Sequence, residues 1–360
     1  MDDERCMRRA LELAARGWGR VHPNPLVGAV VVNGGRVVGE GWHAEFGGPH
    51  AEAEAIRVSG GAARDATLYV TLEPCRHQGK TPPCTDAIRA AGLRRVVYAA
   101  HDPNPDAAGG GRVLEEAGVT VQAGLLEPEA RFLNAAFHHV HETATPWVVL
   151  KLAMSLDQRL SEKAGEPALI TGEDSRAEVH RLRAGFDAIL TGRGTVEADD
   201  PQLTVRGAVV PRAAPVRIVL DTHARLRLES RLVRTARQVP VWIVCAAGAD
   251  PARVQTLSAA GVRVLHARAG PGGVDIGDAL RKLWAEGVHT ILCECGGRLT
   301  ATLMEAKVLN RLYLFIAPKM LGAAGSPAFG TGTALSAWQV RETRRLGQDA
   351  LVVLEPARRS

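Results

Sequence analysis

The stretch TLEPCRHQGKTPPC, Thr71–Cys84, holds two cysteines nine positions apart, with a histidine, a lysine and two prolines between them. In a small secreted chain this would read as part of a disulfide framework. Here six cysteines are scattered over 360 residues, too sparse for a stapled scaffold, so a reducing compartment, the cytoplasm, is expected. The sulfurs of Cys75 and Cys84 therefore need another partner. One lies upstream, in PHAEAEA (Pro49–Ala55), where His50 and Glu52 stand in H-x-E spacing.

One imidazole and two thiolates around a zinc ion leave a fourth position open for water, and zinc deaminases add a non-ligand glutamate two residues after the histidine as proton shuttle. On that pattern His50, Cys75 and Cys84 are the ligands of one Zn2+, and Glu52 is the acid/base. Glu54 competes with Glu52, but the spacing favours Glu52. A structural zinc takes four protein ligands, and His77 is the candidate fourth. The local pattern predicts helices starting at His50 and Cys84 and a strand over Thr67–Leu72, so the ligands converge at element ends, where helix amides favour a thiolate. Deaminases of this signature separate their cysteines by two residues; here eight intervene. The insert RHQGKTPP puts His77 and Lys80 on a loop pinned at both ends to the metal, a cation suited to a substrate phosphate.

Outward from this core, LVGAVVVNGGRVVGEGW (Leu26–Trp42) predicts a hairpin turning at Asn33-Gly34-Gly35. Helix and strand alternate from there to residue 123, which predicts a sheet covered by helices on both faces. A polar helix through His138, His139 and His141 leads to a boundary at Pro146, and a second α/β rhythm begins at Trp147. The length, taken at about 150 residues per domain, agrees with two domains. We place them at 1–145 and 146–360. The N-terminus mixes acids and bases and does not read as a signal peptide. No run approaches the ~20 apolar residues of a membrane span.

HPNPLVG, PHAEAEA, TLEPCRHQGKTPPC and DPNP together resemble the pyrimidine deaminase of riboflavin biosynthesis. LKLAMSLDQRL, AILTGRGTVEADDPQLTVR, CECGGRL and LFIAPKMLG are similar to the reductase half of the bifunctional deaminase/reductase of that pathway. The resemblance covers nearly the whole chain in the family's order. It implies a cytidine-deaminase-like α/β/α domain followed by a dihydrofolate-reductase-like α/β domain. It also implies two activities: deamination of 2,5-diamino-6-ribosylamino-4(3H)-pyrimidinone 5′-phosphate, then NADPH-dependent reduction of the ribosyl group to ribityl. Asn24, His43 and Asn104 should line the deaminase pocket, with His77 and Lys80 near the phosphate. In the second half Lys151 should lie at the sugar and Glu294 should hold it, with Pro167, Arg183, Leu203 and Arg206 also on the substrate side and both arginines on its phosphate. Ala153, Leu169, Thr195 and Asp199 should meet the NADPH side, Asp199 near the sugar too. Gly296, Gly297, Arg298 and Leu299 complete that side.

Taken bottom-up, GRGTVE and CECGGRLT read as helix-start turns, and Cys293 and Cys295 as packing residues. The Gly-Gly-Gly run at 109–111 reads as loop. Two departures from the family stand out: Gln158 where it commonly has glycine, and Pro167 and Leu169 where it often has a serine and a tryptophan. These leave more of the phosphate binding to Arg183 and Arg206.

Charge argues about partners. Residues 1–145 carry 15 Lys and Arg against 18 Asp and Glu, and the remainder 29 against 21. The half with the zinc motif is thus net negative, and aromatics are 4% of the chain, poor material for stacking single-stranded nucleic acid. A phosphorylated small molecule, rather than nucleic acid or membrane, is the expected partner, with self-assembly into a homo-oligomer. Two other readings remain open here: a nucleic-acid or nucleoside zinc deaminase with an accessory nucleotide-binding domain, and a non-catalytic zinc- and NADPH-binding protein.

Overall fold

The computed structural model describes residues 2–79, 82–163, 169–330 and 337–357. Lys80 and Pro167 lie outside the described residues. Contacts divide the chain into two units, Met1–Ala144 and Thr145–Ser360. Among the described residues no helix is long and apolar enough to cross a membrane.

The first unit runs α1 (Asp3–Ala14), β1 (Gly28–Asn33), β2 (Arg36–Trp42), α2 (Ala51–Ser59), β3 (Thr67–Leu72), α3 (Cys84–Ala90), β4 (Arg95–Ala100), α4 (Gly110–Glu116), β5 (Thr120–Ala123), α5 (Glu127–Leu133) and α6 (Ala135–Thr143). The sheet order is β2-β1-β3-β4-β5, with β1 antiparallel to both neighbours and β3, β4 and β5 parallel. Its central strands are apolar at nearly every position because both faces are covered. Ala29, Val31, Leu68, Val70 and Val96 pack with Ala51 and Ala55 of α2, Ile88 of α3 and Leu114 of α4. The alternate residues Val30, Val32, Tyr69 and Val97 pack with Met7, Ala10 and Leu13 of α1 and Ala130 of α5. The hairpin turns at Gly34-Gly35, pairing Asn33 with Arg36. A Cβ on Gly41 would lie 2.4 Å from the Ala51 carbonyl, so the glycine lets the first turn of α2 lie against β2. That contact sets the depth of His50 and Glu52.

The second unit comprises β6 (Trp147–Ser155), α7 (Glu173–Arg183), β7 (Ala188–Gly192), α8 (Arg193–Asp199), β8 (Val216–Leu220), α9 (Arg231–Arg234), β9 (Val241–Ala246), α10 (Pro251–Ala259), β10 (Arg263–Ala267), β11 (Ala269–Gly270), β12 (Gly273–Val274), α11 (Ile276–Ala285), β13 (Thr290–Glu294), α12 (Gly297–Glu305), β14 (Arg311–Ala317), β15 (Trp338–Leu346) and β16 (Asp349–Pro356). Nine strands form one sheet in the order β10-β9-β8-β7-β13-β6-β14-β16-β15. The seven strands from β10 to β14 are parallel. The last two add an antiparallel hairpin at the edge. Because β13 inserts between β7 and β6, the carboxyl ends of these three strands lie together, the kind of position where open α/β sheets bind ligands.

The outer strand of the terminal hairpin carries little apolar alternation: β15 reads WQVRETRRL and is mostly exposed, while Leu351 and Val353 of β16 are buried. As an edge strand it needs no apolar face, and its charges guard the open edge. Gln158 has φ +59, a left-handed conformation that glycine adopts without strain, which accounts for the glycine common at this place in the family.

Candidate active sites

His50 is the N-cap residue of α2, Cys84 opens α3, and Cys75 follows β3 by three residues. Their donor atoms all lie within 4.8 Å of one another. His50 Nδ1 is 3.2 Å from Cys84 Sγ and 3.6 Å from Cys75 Sγ, and the Cys84 N–H donates to Cys75 Sγ at 3.4 Å. Both sulfurs are buried free thiols. The hydrogen bond from Cys84 holds the Cys75 thiol well below its ordinary range, while the same contact and burial push Cys84 up. One nitrogen and two sulfurs converging in a buried corner fit a zinc ion with an open fourth position. His77 is half-buried and stands outside this group of three, which is the one such cluster among the described residues. Replacing Cys84 by Ala is expected to strip the protein of zinc on dialysis, measured by metal analysis; stoichiometric zinc in that variant would refute the tripod.

Glu52 sits in the first turn of α2, 4% exposed, and burial pushes its carboxyl up from the usual range. A carboxyl so raised is suited to carrying a proton. Glu54 instead is half-buried and accepts from Arg57 Nε at 2.9 Å.

The His43 ring meets the His50 ring edge-on at 5.7 Å between centroids. Its Nδ1 lies 3.0 Å from the Pro49 carbonyl, which can only accept, so Nδ1 carries the proton. Nε2 is then the acceptor for Asn24 Nδ2 at 3.1 Å. This turns the carbonyl oxygen of Asn24 away from His43. Asn134, which the sequence did not single out, holds this segment: its side-chain amide accepts from Leu26 N and donates to Leu26 O, each at 2.8 Å. Asn104 behaves as turn punctuation, its Oδ1 accepting the Asp106 N–H at 3.1 Å.

In the second unit Glu294 ends β13, buried, and Arg183 at the end of α7 grips it through Nε at 2.6 Å and a terminal nitrogen at 3.0 Å. Arg183 also donates to the Thr204 carbonyl at 2.9 Å, and Lys151 of β6 approaches Glu294 at 3.5 Å. The fork of Arg183 thus engages Glu294, as a buried guanidinium needs a buried anion. Asp199 ends α8, where burial raises its carboxyl against the pull of Lys151. Lys151 thus lies between two carboxylates.

The Leu203 side chain is buried in the core cluster that includes Ile189, Val196 and Leu226, which leaves its backbone to meet a ligand. Arg206 is exposed and lines a groove with Arg181 and Arg345. Ala153 lies within β6 beside Phe315 of β14. Leu169 is 71% exposed and offers no aromatic platform.

Gly192 and Gly296 are the N-cap residues of α8 and α12, neither with a side-chain cap, as the helix-start reading expects. The Gly296 N–H donates to Thr195 Oγ1 at 3.2 Å, and a Cβ on Gly192 would lie 3.3 Å from Leu299, so the two helix starts adjoin. Gly297 has a packing reason of its own: a Cβ there would lie 2.3 Å from the Pro327 carbonyl. Arg298 follows in the first turn of α12. Side by side, uncapped glycine-led helix starts fit the phosphates of a nucleotide cofactor. Cys293 and Cys295 are buried in the core.

Residues 1–100 match the family model for the cytidine and deoxycytidylate deaminase zinc-binding region, and residues 146–352 match that for the RibD C-terminal domain. Fold and sites therefore define a zinc-type deaminase joined to a nucleotide-dependent reductase. The chain is 41% identical to riboflavin biosynthesis protein RibD of Escherichia coli (strain K12) over 335 residues, 90% of this chain and 89% of that one. It is 40% identical to the Bacillus amyloliquefaciens RibD over 333 residues, 92% and 88% of the two chains. The structure of Acinetobacter baumannii RibD, form 1, matches with a TM-score of 0.83 at 35% identity over 99% of both chains. The diaminohydroxyphosphoribosylaminopyrimidine deaminase/5-amino-6-(5-phosphoribosylamino)uracil reductase of Thermotoga maritima gives 0.82 at 33% identity over 98% of both. This chain belongs to the RibD family, the bifunctional deaminase/reductases of riboflavin biosynthesis. Neither a nucleic-acid deaminase nor a non-catalytic binding protein is favoured beside matches that span both halves.

Proposed function

We propose that the first unit deaminates 2,5-diamino-6-ribosylamino-4(3H)-pyrimidinone 5′-phosphate and that the second reduces the ribosyl group of the product to ribityl. The observation that carries this reading is the convergence of His50, Cys75 and Cys84 with the buried Glu52 beside them. Zinc held there supplies Lewis acidity that makes water nucleophilic near neutral pH. Glu52 carries one proton of the attacking water to a ring nitrogen as the hydroxyl adds, and then carries the second proton, from that hydroxyl, to the departing amine as the C–N bond breaks. Asn24, oriented by the proton on His43 Nδ1, offers its carbonyl oxygen to the donor edge of the pyrimidine. His77 and Lys80, the basic residues of the insert between the two cysteines, take the substrate phosphate.

In the reductase unit NADPH supplies the hydride when bound. Lys151, Asp199 and Glu294 surround the opened sugar, and Arg183 keeps Glu294 ionised and in place. Arg206, with no partner for its guanidinium among the described residues, takes the substrate phosphate, a role suited to its planar fork. The six free cysteines agree with work in the cytoplasm, and the chain assembles as a homo-oligomer, which light scattering measures.

The test follows ammonia and NADPH oxidation together on the diaminopyrimidine phosphate. Ammonia should appear without NADPH and vanish when zinc is chelated, and NADPH should be oxidised only after deamination. Ammonia release from tRNA but not from the pyrimidine would overturn the substrate.

A further inference from the structure

Glu73, two residues before Cys75, is a carboxylate that neither half-reaction uses. It is 6% exposed. Its Oε1 accepts the N–H groups of Gly109 at 3.1 Å and Gly111 at 3.0 Å, and its Oε2 accepts the Asp102 N–H at 3.4 Å. His101 Nδ1 stands 3.5 Å from Oε2. These donors belong to the two ends of one segment, residues 101–111, so a single side chain closes that loop upon itself.

The glycine run at 109–111, plain loop by sequence, in fact opens α4 with Gly109 as its N-cap, and its lack of side chains permits the closure. Gly109 has φ +91, and a Cβ on Gly110 would lie 1.7 Å from the Pro74 carbonyl, closer than any side chain allows. The middle of the loop rests on the metal-binding sulfurs: Ala107 forms a buried cluster with Cys75 and Cys84. Its carbonyl accepts the Arg76 N–H at 3.3 Å, and the Ala108 carbonyl accepts from Arg76 Nε. Residues on both sides of Cys75 therefore hold the same loop.

We propose that Glu73 is a positioning residue of the deaminase unit, clasping the 101–111 loop onto the Cys75 turn and so fixing the wall, Ala107 included, against which the pyrimidine seats. The proposal rests on the deaminase reading above. It assigns the Glu73 carboxylate to substrate placement rather than to metal retention.

The test compares Glu73→Ala, Glu73→Gln and Gly110→Ala in the full chain with the wild type, on the diaminopyrimidine phosphate. Loss of an outer contact of this kind costs on the order of 10- to 100-fold in activity. Glu73→Ala should raise the deaminase KM by that much, with zinc content and reductase kinetics unchanged. Glu73→Gln keeps one acceptor for Gly109 and Gly111 but turns an NH2 toward Asp102, so its KM should fall between wild type and Ala. The Glu73→Ala/Gly110→Ala double variant should be no worse than the poorer single one, because both break one clasp. If Glu73→Ala also loses zinc, the isosteric Gln variant decides: a raised KM with zinc retained supports the clasp. Wild-type KM in the Gln variant, or zinc lost from it, overturns the clasp while leaving an active wild type. A wild type that releases no ammonia overturns the deaminase reading and the clasp together.

Discussion

Glu52→Gln is expected to lower deaminase turnover by about 10²- to 10⁴-fold, the usual contribution of a general acid–base group. Zinc content should not change, since the tripod is His50, Cys75 and Cys84 and does not include this carboxylate. The amide matches the carboxylate in size, so the first turn of α2 keeps its packing against β2. What is lost is the ability to take a proton from water and return it to the leaving amine. Reductase kinetics on deaminated substrate supply an internal control within the same chain. Turnover within threefold or so of wild type, far short of that range, would remove Glu52 from the chemistry.

Glu294→Ala should have the largest effect on stability. The substitution strands the Arg183 guanidinium and the Lys151 ammonium, both largely buried, and breaking a buried ion pair from one side costs about 3–5 kcal/mol. The same cluster makes stability pH-dependent. Burial pushes the Glu294 carboxyl up, but Arg183 and Lys151 outweigh it and hold the group at about 2, below its ordinary 4.5. A folded value below the unfolded one adds stability that is complete above about 4.5 and disappears as the pH falls through about 2. Urea unfolding followed by tryptophan fluorescence measures both effects, since four of the six tryptophans lie in this unit. A variant as stable as wild type at pH 7, with the same acid limb, would show that the cluster contributes nothing net.

The deaminase site was legible because its parts announce themselves locally. H-x-E, P-C and a second helix-start cysteine are short-range patterns, and each ligand falls where an element begins or ends. The choice between Glu52 and Glu54 followed from spacing, and the structure gives its cause: one faces inward and the other pairs with Arg57. The reductase site was legible only through resemblance. Its central contact joins Arg183 to Glu294 across 111 positions, and no local period reports such a pair. The sequence accordingly carried no sign that Arg183 pairs with Glu294 or that the Leu203 side chain is buried. Asn134 was overlooked for the same reason, since its partner Leu26 lies 108 positions away.

Residue order alone was enough to bring forward His50, Cys75 and Cys84 as one cluster with Glu52 beside it, the hairpin at Gly34-Gly35 and the alternation of helices and strands, because spacing, turn chemistry and apolar runs act over a few residues. Which charges meet was decided by the tertiary structure. Only when β13 slots between β7 and β6 do Lys151, Asp199 and Glu294 come together. Likewise, only the folded loop shows Glu73 gathering amides from Asp102, Gly109 and Gly111, because closing such distances depends on how whole layers pack.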